Sequence, residues 1–195
     1  MVPKSGAFLI AGLGNPGLDY AITRHNAGFL VVDALSEAFK IDIQRRKFDT
    51  LYGRGRIKGV DALLVKPQAF MNRSGPPLQR LASYFGIQRE AMVIVHDDID
   101  LAFTRLKIKE KGGDGGHKGI RSIISTFGSG DFTRVRLGVG RSDQATNVVG
   151  HVLGTFNQEE RHVLGEFLQR ACDAIVTILT EGTKIAMNQY HQNSG

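Results

Sequence analysis

The residues with the clearest chemical capacity are a histidine and an acidic run that lie far apart in the chain. His25 comes shortly before an apolar stretch with helical spacing, and imidazole is well suited to proton transfer near neutral pH. Asp97 belongs to the run HDDID at residues 96–100, which follows a predicted strand. An aspartate there could orient the imidazole by accepting its ring N–H, as in a catalytic triad. Because a lone histidine is more often structural or solvated, the pairing of His25 with Asp97 is a hypothesis that depends on the fold.

The acidic run allows two other interpretations. Three carboxylates within four residues could hold a hard cation. However, the run lacks the glycine of a calcium-binding loop, and the chain has no H-E-x-x-H motif, so we expect no metal. The run could instead be a solvated turn that caps the following element, and this interpretation stays open.

Two asparagines lie in loops where a side-chain amide could contact a ligand. Residues 12–17 (GLGNPG) match the glycine pattern of dinucleotide-binding folds, but that fingerprint requires a helix to begin at once, and the next residues are turn-like. A plain tight turn and a turn that presents Asn15 both remain open. Asn72, in FMNRSG at residues 70–75, offers an amide that could hold an oxyanion. Alternatively, Asn72 or Ser74 caps the helix that follows.

A predicted strand near residues 104–109 has one basic face. Because side chains alternate along a strand, its cations share a face while Leu106 and Ile108 turn toward the core. Phosphates would relieve the repulsion among these like charges, and the glycine cluster at residues 112–119 would let a bulky ligand approach the backbone. The alternative is a solvated edge strand guarded by lysines. The cations on this strand and on the next one are Arg105, Lys107, Lys109, Lys111, Arg134, Arg136 and Arg141.

Alternating strands and helices must position these residues. Apolar runs and period-two alternation predict strands near residues 7–13, 50–57, 60–65, 91–95, 104–109 and 132–139. The second and third of these strands form a hairpin. Helical spacing predicts helices near residues 26–39, 78–85, 120–127 and 158–180. The pattern predicts an α/β fold: a single domain over residues 1–195, with a mixed, mostly parallel sheet covered by helices on both faces.

Composition excludes several classes of protein. A chain of 195 residues and 21.3 kDa is the size of one domain. The single cysteine, Cys172, rules out a disulfide framework and favours a reducing compartment. No apolar run reaches the roughly 18 residues of a membrane span, and the first residues lack the apolar segment of a signal peptide, so we expect a cytoplasmic protein. The net charge of +6 favours a polyanionic partner.

Six short motifs, taken in their order along the chain, resemble bacterial-type peptidyl-tRNA hydrolase. They are GLGNPG at 12–17, YAITRHNAG at 20–28, FMNRSG at 70–75, HDDIDL at 96–101, GGHKG at 115–119 and VVGHVLG at 148–154. The resemblance extends over nearly the whole chain. It implies a single α/β domain that acts as a monomer without a metal or other cofactor. It also implies cleavage of the ester between a peptide and the terminal ribose of tRNA, which recycles tRNA after stalled translation.

The resemblance further implies roles for individual residues. His25 corresponds to the family's catalytic histidine and Asp97 to its orienting acid, while Asn15 and Asn72 correspond to amides that hold the substrate. The acceptor stem and CCA end of tRNA would be gripped at their phosphates by Lys107, Lys109 and Arg136. Further contacts with the substrate or with tRNA would come from Tyr20, Asn26, Phe70, Met71, His117 and Lys118.

One position departs from the family pattern. The family commonly has an asparagine after the histidine of the glycine loop, where this chain has Lys118. An amide that could position water is thereby replaced by a cation with three donors and no acceptor. We therefore expect position 118 to act electrostatically, on a terminal phosphate, and to have no catalytic role.

These features predict an esterase in which His25, held by Asp97, removes a proton from water while Asn15 and Asn72 steady the oxyanion. No G-x-S-x-G motif is present, and no serine nucleophile is needed. Two rival functions stay open. A catalytically reduced RNA-binding homologue would keep the basic strand without turnover, and a nucleotide-dependent oxidoreductase would bind NAD(P) at residues 12–17.

Overall fold

The computed structural model describes residues 6–141 and 147–191 of the chain. Within these ranges, seven strands form a single sheet in the order β2-β3-β4-β1-β5-β7-β6. The strands are β1 (Ala7–Gly12), β2 (Arg45–Lys47), β3 (Thr50–Ile57), β4 (Val60–Pro67), β5 (Met92–Asp98), β6 (Leu106–Lys109) and β7 (Thr133–Gly138).

Helices connect and cover the strands. They are α1 (Ala27–Phe39), α2 (Gly75–Tyr84), α3 (Lys118–Phe127), α4 (Val148–Leu153), α5 (Gln158–Thr180) and α6 (Thr183–Tyr190). Two 3₁₀ turns, Arg24–Asn26 and Met71–Arg73, precede α1 and α2. In the described part of the chain, no helix combines the length and apolarity that a membrane crossing requires.

The centre of the sheet is parallel and its margins are antiparallel. Strands β4, β1, β5 and β7 run in the same direction, whereas β2, β3 and β6 pair antiparallel with their neighbours. Alternate residues of β1 enter opposite cores, because Ile10 packs among the residues of α1 and α5 while Leu9 and Ala11 pack among those of α2 and α3. The predicted α/β fold, with a mixed sheet covered on both faces, is confirmed.

The apolar patterns in the sequence locate some elements better than others. The hairpin of β3 and β4, the long helix α5 and the strand β5 lie where the apolar patterns predict them. Strand β2 was not predicted, because its three residues are the cations RRK and form no apolar pattern. Helices α4 and α6 were not predicted either, since they are only six and eight residues long.

The topology brings several loops to one edge of the sheet. Strands β1, β4, β5 and β7 are parallel, so their carboxyl ends meet at this edge, where ligands bind in open α/β sheets. The start of α1 packs closely against it, because a Cβ at Gly28 would lie 2.3 Å from the Val95 carbonyl oxygen and 2.5 Å from the Leu13 nitrogen. This close approach carries His25, three residues before Gly28, to the end of β5.

Candidate active site

His25 and Asp97 form the predicted pair, although 72 residues separate them in the sequence. The Nδ1 atom of His25 lies 2.9 Å from both carboxylate oxygens of Asp97. The Asp97 side chain is 2% exposed and that of His25 is 12% exposed. A carboxylate can only accept here, so Nδ1 carries the proton and the Nε2 atom of neutral His25 keeps its lone pair. His25 lines a cavity of about 640 Å³, so it can act there as a base.

A buried anchor holds the turn that carries His25. The guanidinium of Arg24 is buried and donates to the carboxylate of Glu160 near the start of α5. It also donates to the carbonyl of His151 in α4. These contacts tie the turn before α1 to two helices that come more than 120 residues later.

His117 is a second imidazole partner of Asp97. Its Nε2 atom lies 2.9 Å from Oδ1 of Asp97, and its Nδ1 atom accepts the backbone N–H of Ile120 at 3.2 Å, which caps α3. Because Nδ1 is an acceptor, Nε2 must carry the proton and donate to Asp97. The resemblance placed His117 among the substrate contacts, and the structure adds this contact with the orienting carboxylate.

Two opposing effects set the pKa of the Asp97 carboxyl. Burial alone raises its pKa, because a low-dielectric environment disfavours the charged form. The neighbouring His117 and His25 outweigh burial and bring the pKa well below its ordinary value. Asp97 therefore stays ionised at neutral pH and can hold both imidazoles.

His96 is a third histidine in this cluster, and it is buried. Its Nδ1 donates to the carbonyl of Asp97 at 2.7 Å, and its ring packs edge-on against His117 with the centroids 4.7 Å apart. Its buried Nε2 atom has no hydrogen-bond partner in the described residues. Burial, with a further contribution from His117, lowers the pKa of His96 well below its usual value, so this imidazole is neutral.

Asn15 is fixed by contacts that leave part of its amide available. Its Oδ1 accepts the backbone N–H of Met71 at 2.8 Å, which joins the turn after β1 to the turn before α2. Asn26 is 1% exposed, and its side chain exchanges two hydrogen bonds with the Asn15 backbone. Asn26 thus lies beneath the site. The Asn15 NH₂ group is left to donate into the cavity that Asn15 lines.

The loop before α2 supplies one wall of the cavity. Phe70, Met71 and Asn72 all line it; Phe70 is 57% exposed and Met71 is buried. In the described residues, neither Asn72 nor Ser74 makes a side-chain cap for α2, so the capping alternative for Asn72 is not what the structure shows. The exposed apolar residues Val148 and Val149 of α4 form another wall.

The basic residues divide into exposed and internally paired groups. Lys109 and Lys118 are exposed and line the cavity, whereas Lys107 is exposed beside it on β6. Arg136 also lines the cavity but forms an ion pair with Asp98. Tyr20 is half-buried, and it is not among the described residues that line the cavity.

Arg134 corrects one sequence-based expectation. The sequence predicts that Arg134, on the strand after the glycine cluster, is one of the cations available to bind phosphate. In the structure, Arg134 is only 3% exposed. Its guanidinium donates to the carbonyls of Gly112, Gly113 and Gly130, because the glycine loop folds over β7. Arg134 therefore holds that loop.

Asp97 and its two imidazole partners, His25 and His117, also have the spacing of a metal site. The ligand atoms of His25, Asp97 and His117 lie within 4.8 Å of one another. Their hydrogen bonds argue against that use, because His117 already accepts at Nδ1 and must keep a proton on Nε2. The donor set thus fits a proton relay better than a cation.

Three comparisons with known proteins agree on one family. The sequence profile described as peptidyl-tRNA hydrolase matches residues 9–195. The chain is 43% identical to the peptidyl-tRNA hydrolase of Clostridium novyi (strain NT), over 94% of this chain and 97% of that one. It is 44% identical to that of Caldanaerobacter subterraneus, over 94% and 99%. The crystal structure of peptidyl-tRNA hydrolase from Acinetobacter baumannii superposes with a TM-score of 0.89 at 38% identity, covering 96% of this chain and 95% of that one.

Proposed function

The chain belongs to the peptidyl-tRNA hydrolase family and hydrolyses the ester bond of peptidyl-tRNA, and from this premise we propose that His25 is the general base of the reaction. The observation that carries the proposal is the contact of His25 Nδ1 with both oxygens of the buried Asp97 carboxylate. It fixes the tautomer in which Nε2 can accept a proton. General-base catalysis of this kind contributes about 10²–10⁴-fold in rate.

In the proposed reaction, water attacks the ester carbonyl carbon as its proton passes to Nε2 of His25. The carbonyl oxygen then carries negative charge, and the amides of Asn15 and Asn72 donate to it. When the tetrahedral intermediate collapses, the bond between the carbonyl carbon and the ribose oxygen breaks. The proton on His25 goes to that oxygen, and peptide and tRNA leave.

No covalent nucleophile is required by this scheme. Among the described residues that line the cavity there is no serine, threonine or cysteine. Cys172 is buried beside Val31, and burial raises the pKa of its thiol to about 12, which makes it inert. We therefore propose that water is the attacking group.

We also propose that RNA binds on the β6 side of the cavity. Lys107 and Lys109 alternate with the buried Leu106 and Ile108, so both ammonium groups face outward. We assign the acceptor stem and CCA end of tRNA to this face, with Arg136 and Lys118 at the cavity rim. Lys118 is exposed and can reach a terminal phosphate as an electrostatic contact.

We propose that the enzyme is a monomer with a single domain and that it needs no metal. We also propose that it acts in the cytoplasm, where its substrate arises. The site keeps a base and its orienting acid, so nothing in it favours the rival RNA-binding role without turnover.

The test is turnover of a labelled peptidyl-tRNA by the native enzyme and by His25→Ala. We expect the substitution nearly to abolish release of the peptide with little loss of thermal stability. His162→Ala, an exposed histidine on α5, is the matched control and should keep full activity. More than about a tenth of native activity in His25→Ala would contradict the assignment. Addition of a chelator tests the metal-free scheme, which predicts no change.

A further inference from the structure

A surface on the other flank of the cavity combines aromatic rings with cations. Phe48 and Tyr84 are 36% and 59% exposed, and their rings meet edge-on with centroids 5.9 Å apart. The Lys47 ammonium lies 4.2 Å from the Tyr84 ring centroid and 5.0 Å from that of Phe48. Arg45 lies opposite Tyr52 in the register of β2 and β3, on the same face of the sheet as Lys47. We call Arg45, Lys47, Phe48 and Tyr84 the hairpin patch.

The backbone at Phe48 is unfavourable for its residue type. Phe48 and Asp49 connect β2 to β3 with φ values of 50° and 55°. Turns with two left-handed residues ordinarily use Asn-Gly, because a bulky side chain is strained in that conformation. Here an aromatic ring is held at the exposed tip of the hairpin in spite of that cost.

The cations of the hairpin patch are available for a partner. Within residues 6–141 and 147–191, neither Arg45 nor Lys47 forms an ion pair. Arg80 is exposed one helical turn before Tyr84 on α2, so it borders the hairpin patch, and it forms no ion pair in these residues either. Asp49 is the one carboxylate of the turn, so the cations of the hairpin patch outnumber the acidic groups beside them. The surface therefore fits a ligand that offers carboxylates and flat or apolar groups.

The hairpin patch lies at the same edge of the sheet as the active-site cavity. The tip of the hairpin lies at the edge of the sheet where β1, β4 and β5 end, because Thr50 pairs with Pro67. The backbone N–H of Gln68 donates to the Asp49 carbonyl at 2.7 Å. Phe70, in the cavity wall, follows two residues later. Three strand spacings, about 14 Å, separate β2 from β1.

The two flanks of the cavity differ in character. The lysines assigned to RNA lie on β6, at the far side of the sheet from β2. The wall on the β2 side is formed by Phe70, Met71 and Asn72, none of which is charged. If the tRNA approaches over β6, the peptide must leave the scissile ester on another side, and the exposed ring of Phe70 lies in the wall on the side of β2.

We propose that the hairpin patch binds the peptide half of the substrate and favours acidic residues about five positions from the ester. An extended peptide advances about 3.3 Å per residue, so this is where the chain would reach Arg45 and Tyr84. The inference rests on the proposed function, because the direction of the peptide depends on the assignment of RNA to β6.

The test uses three substrates that share one tRNA and one C-terminal residue. The first carries a single N-acetylated amino acid, the second an N-acetylated hexapeptide with two N-terminal glutamates, and the third the same hexapeptide with lysines instead. Steady-state kinetics of the native enzyme should give the lowest KM for the glutamate peptide.

Charge reversal then identifies the surface. Arg45→Glu combined with Arg80→Glu should raise KM for the glutamate peptide about three- to tenfold, lower it for the lysine peptide, and leave the short substrate unchanged. Arg46→Glu combined with Lys58→Glu is the control with the same change in charge. Arg46 is exposed on the same strand but faces the other side of the sheet, and Lys58 is exposed at the turn on the opposite edge. Tyr84→Ser should raise KM for both hexapeptide substrates and leave KM for the short substrate unchanged.

Several results would overturn the inference. Equal effects on KM of the control variant and of the Arg45→Glu, Arg80→Glu variant would show a general charge effect. Identical KM values of the native enzyme for all three substrates would show that the hairpin patch binds no peptide. A weaker affinity of the Arg45→Glu, Arg80→Glu variant for deacylated tRNA would identify an RNA surface instead. If the native enzyme did not hydrolyse the short substrate, this would contradict the proposed function, and the inference would be contradicted as well.

Discussion

At the scale of single residues, the site depends on how three imidazoles divide their protons. Asp97 accepts from His25 and from His117, and its own backbone carbonyl accepts from His96. Each of these hydrogen bonds fixes one tautomer. Only His25 is thereby left with a lone pair that can face a substrate, because Nδ1 of His117 accepts from Ile120 and Nε2 of His96 is buried.

The buried His96 makes a testable contribution to the pH dependence of stability. Burial lowers its pKa in the folded protein, so the unfolded chain takes up a proton below about pH 6.5 that the folded protein does not. The free energy of unfolding must then fall as the pH drops below 6.5, by at most about 1.4 kcal/mol per pH unit from this group.

We predict that His96→Phe removes this part of the pH dependence. Urea unfolding at several pH values between 4.5 and 7.5 should show a smaller slope of the unfolding free energy than in the native protein. Removal of the hydrogen bond to the Asp97 carbonyl lowers the free energy at every pH and leaves the slope unaffected. His162→Phe, at an exposed position on α5, should keep the native slope. Equal slopes for His96→Phe and the native protein would show that His96 is not the responsible group.

At the scale of elements, the geometry of the site follows from the close packing of α1 against the ends of β1 and β5. A Cβ at Gly28 would lie 2.3 Å from the Val95 carbonyl oxygen, so only glycine allows this approach. The helix begins at Ala27, directly after the turn that holds His25, and Val95 shortly precedes Asp97 on β5. The distance between His25 and Asp97, the proposed base and its orienting acid, is therefore set by backbone packing between two elements.

We predict that Gly28→Ala separates these elements. The added methyl group meets backbone atoms, which cannot rotate away, so we expect a loss of about 2–4 kcal/mol in unfolding free energy and a fall in kcat. Gly165→Ala in α5 is the control, because a Cβ there meets nothing within 4 Å. That change should stabilise the protein by about 0.5–1 kcal/mol. Thermal unfolding measures the stability of both variants, and turnover measures their kcat. A Gly28→Ala enzyme with native stability and kcat would show that the close packing of α1 against β5 does not require glycine.

The basic face of β6 permits a separate prediction about RNA binding. Lys107→Ala combined with Lys109→Ala should raise KM more than it lowers kcat, because we propose that these side chains bind phosphates and not the reacting atoms. The slope of log affinity against log salt should decrease by about 0.9 for each phosphate that is no longer neutralised. Lys58→Ala, at the turn on the opposite edge of the sheet, should change neither quantity. A salt slope that stays the same in the double variant would favour the solvated edge strand.

At the scale of the whole molecule, the two cores are inseparable. Strands β1, β4 and β5 contribute alternate side chains to both, so neither core can persist when the sheet is disrupted. The proposed catalytic pair, His25 and Asp97, joins residues 72 positions apart. Arg24, beside His25, is held by Glu160, 136 positions later in the chain. We expect the chain to unfold as one unit.

We predict a single unfolding transition that coincides with the loss of activity. Far-UV circular dichroism and residual turnover, followed over the same urea series, should give the same midpoint. A second transition, or inactivation well before secondary structure unfolds, would show that part of the described chain folds independently and would contradict the single-domain proposal.

The sequence by itself determined the order of most elements, the alternation of β6 and the identity of the residues that could act as base, acid and amide donors. It did so because local periodicity encodes which face of a strand or helix is buried. The tertiary structure alone decided that His117 shares Asp97, that Asn26 lies beneath Asn15, and that Arg134 is internal whereas Lys109 is available. The first two of these partnerships join residues 20 and 11 positions apart, and they depend on how whole elements pack, which no local pattern of residues specifies.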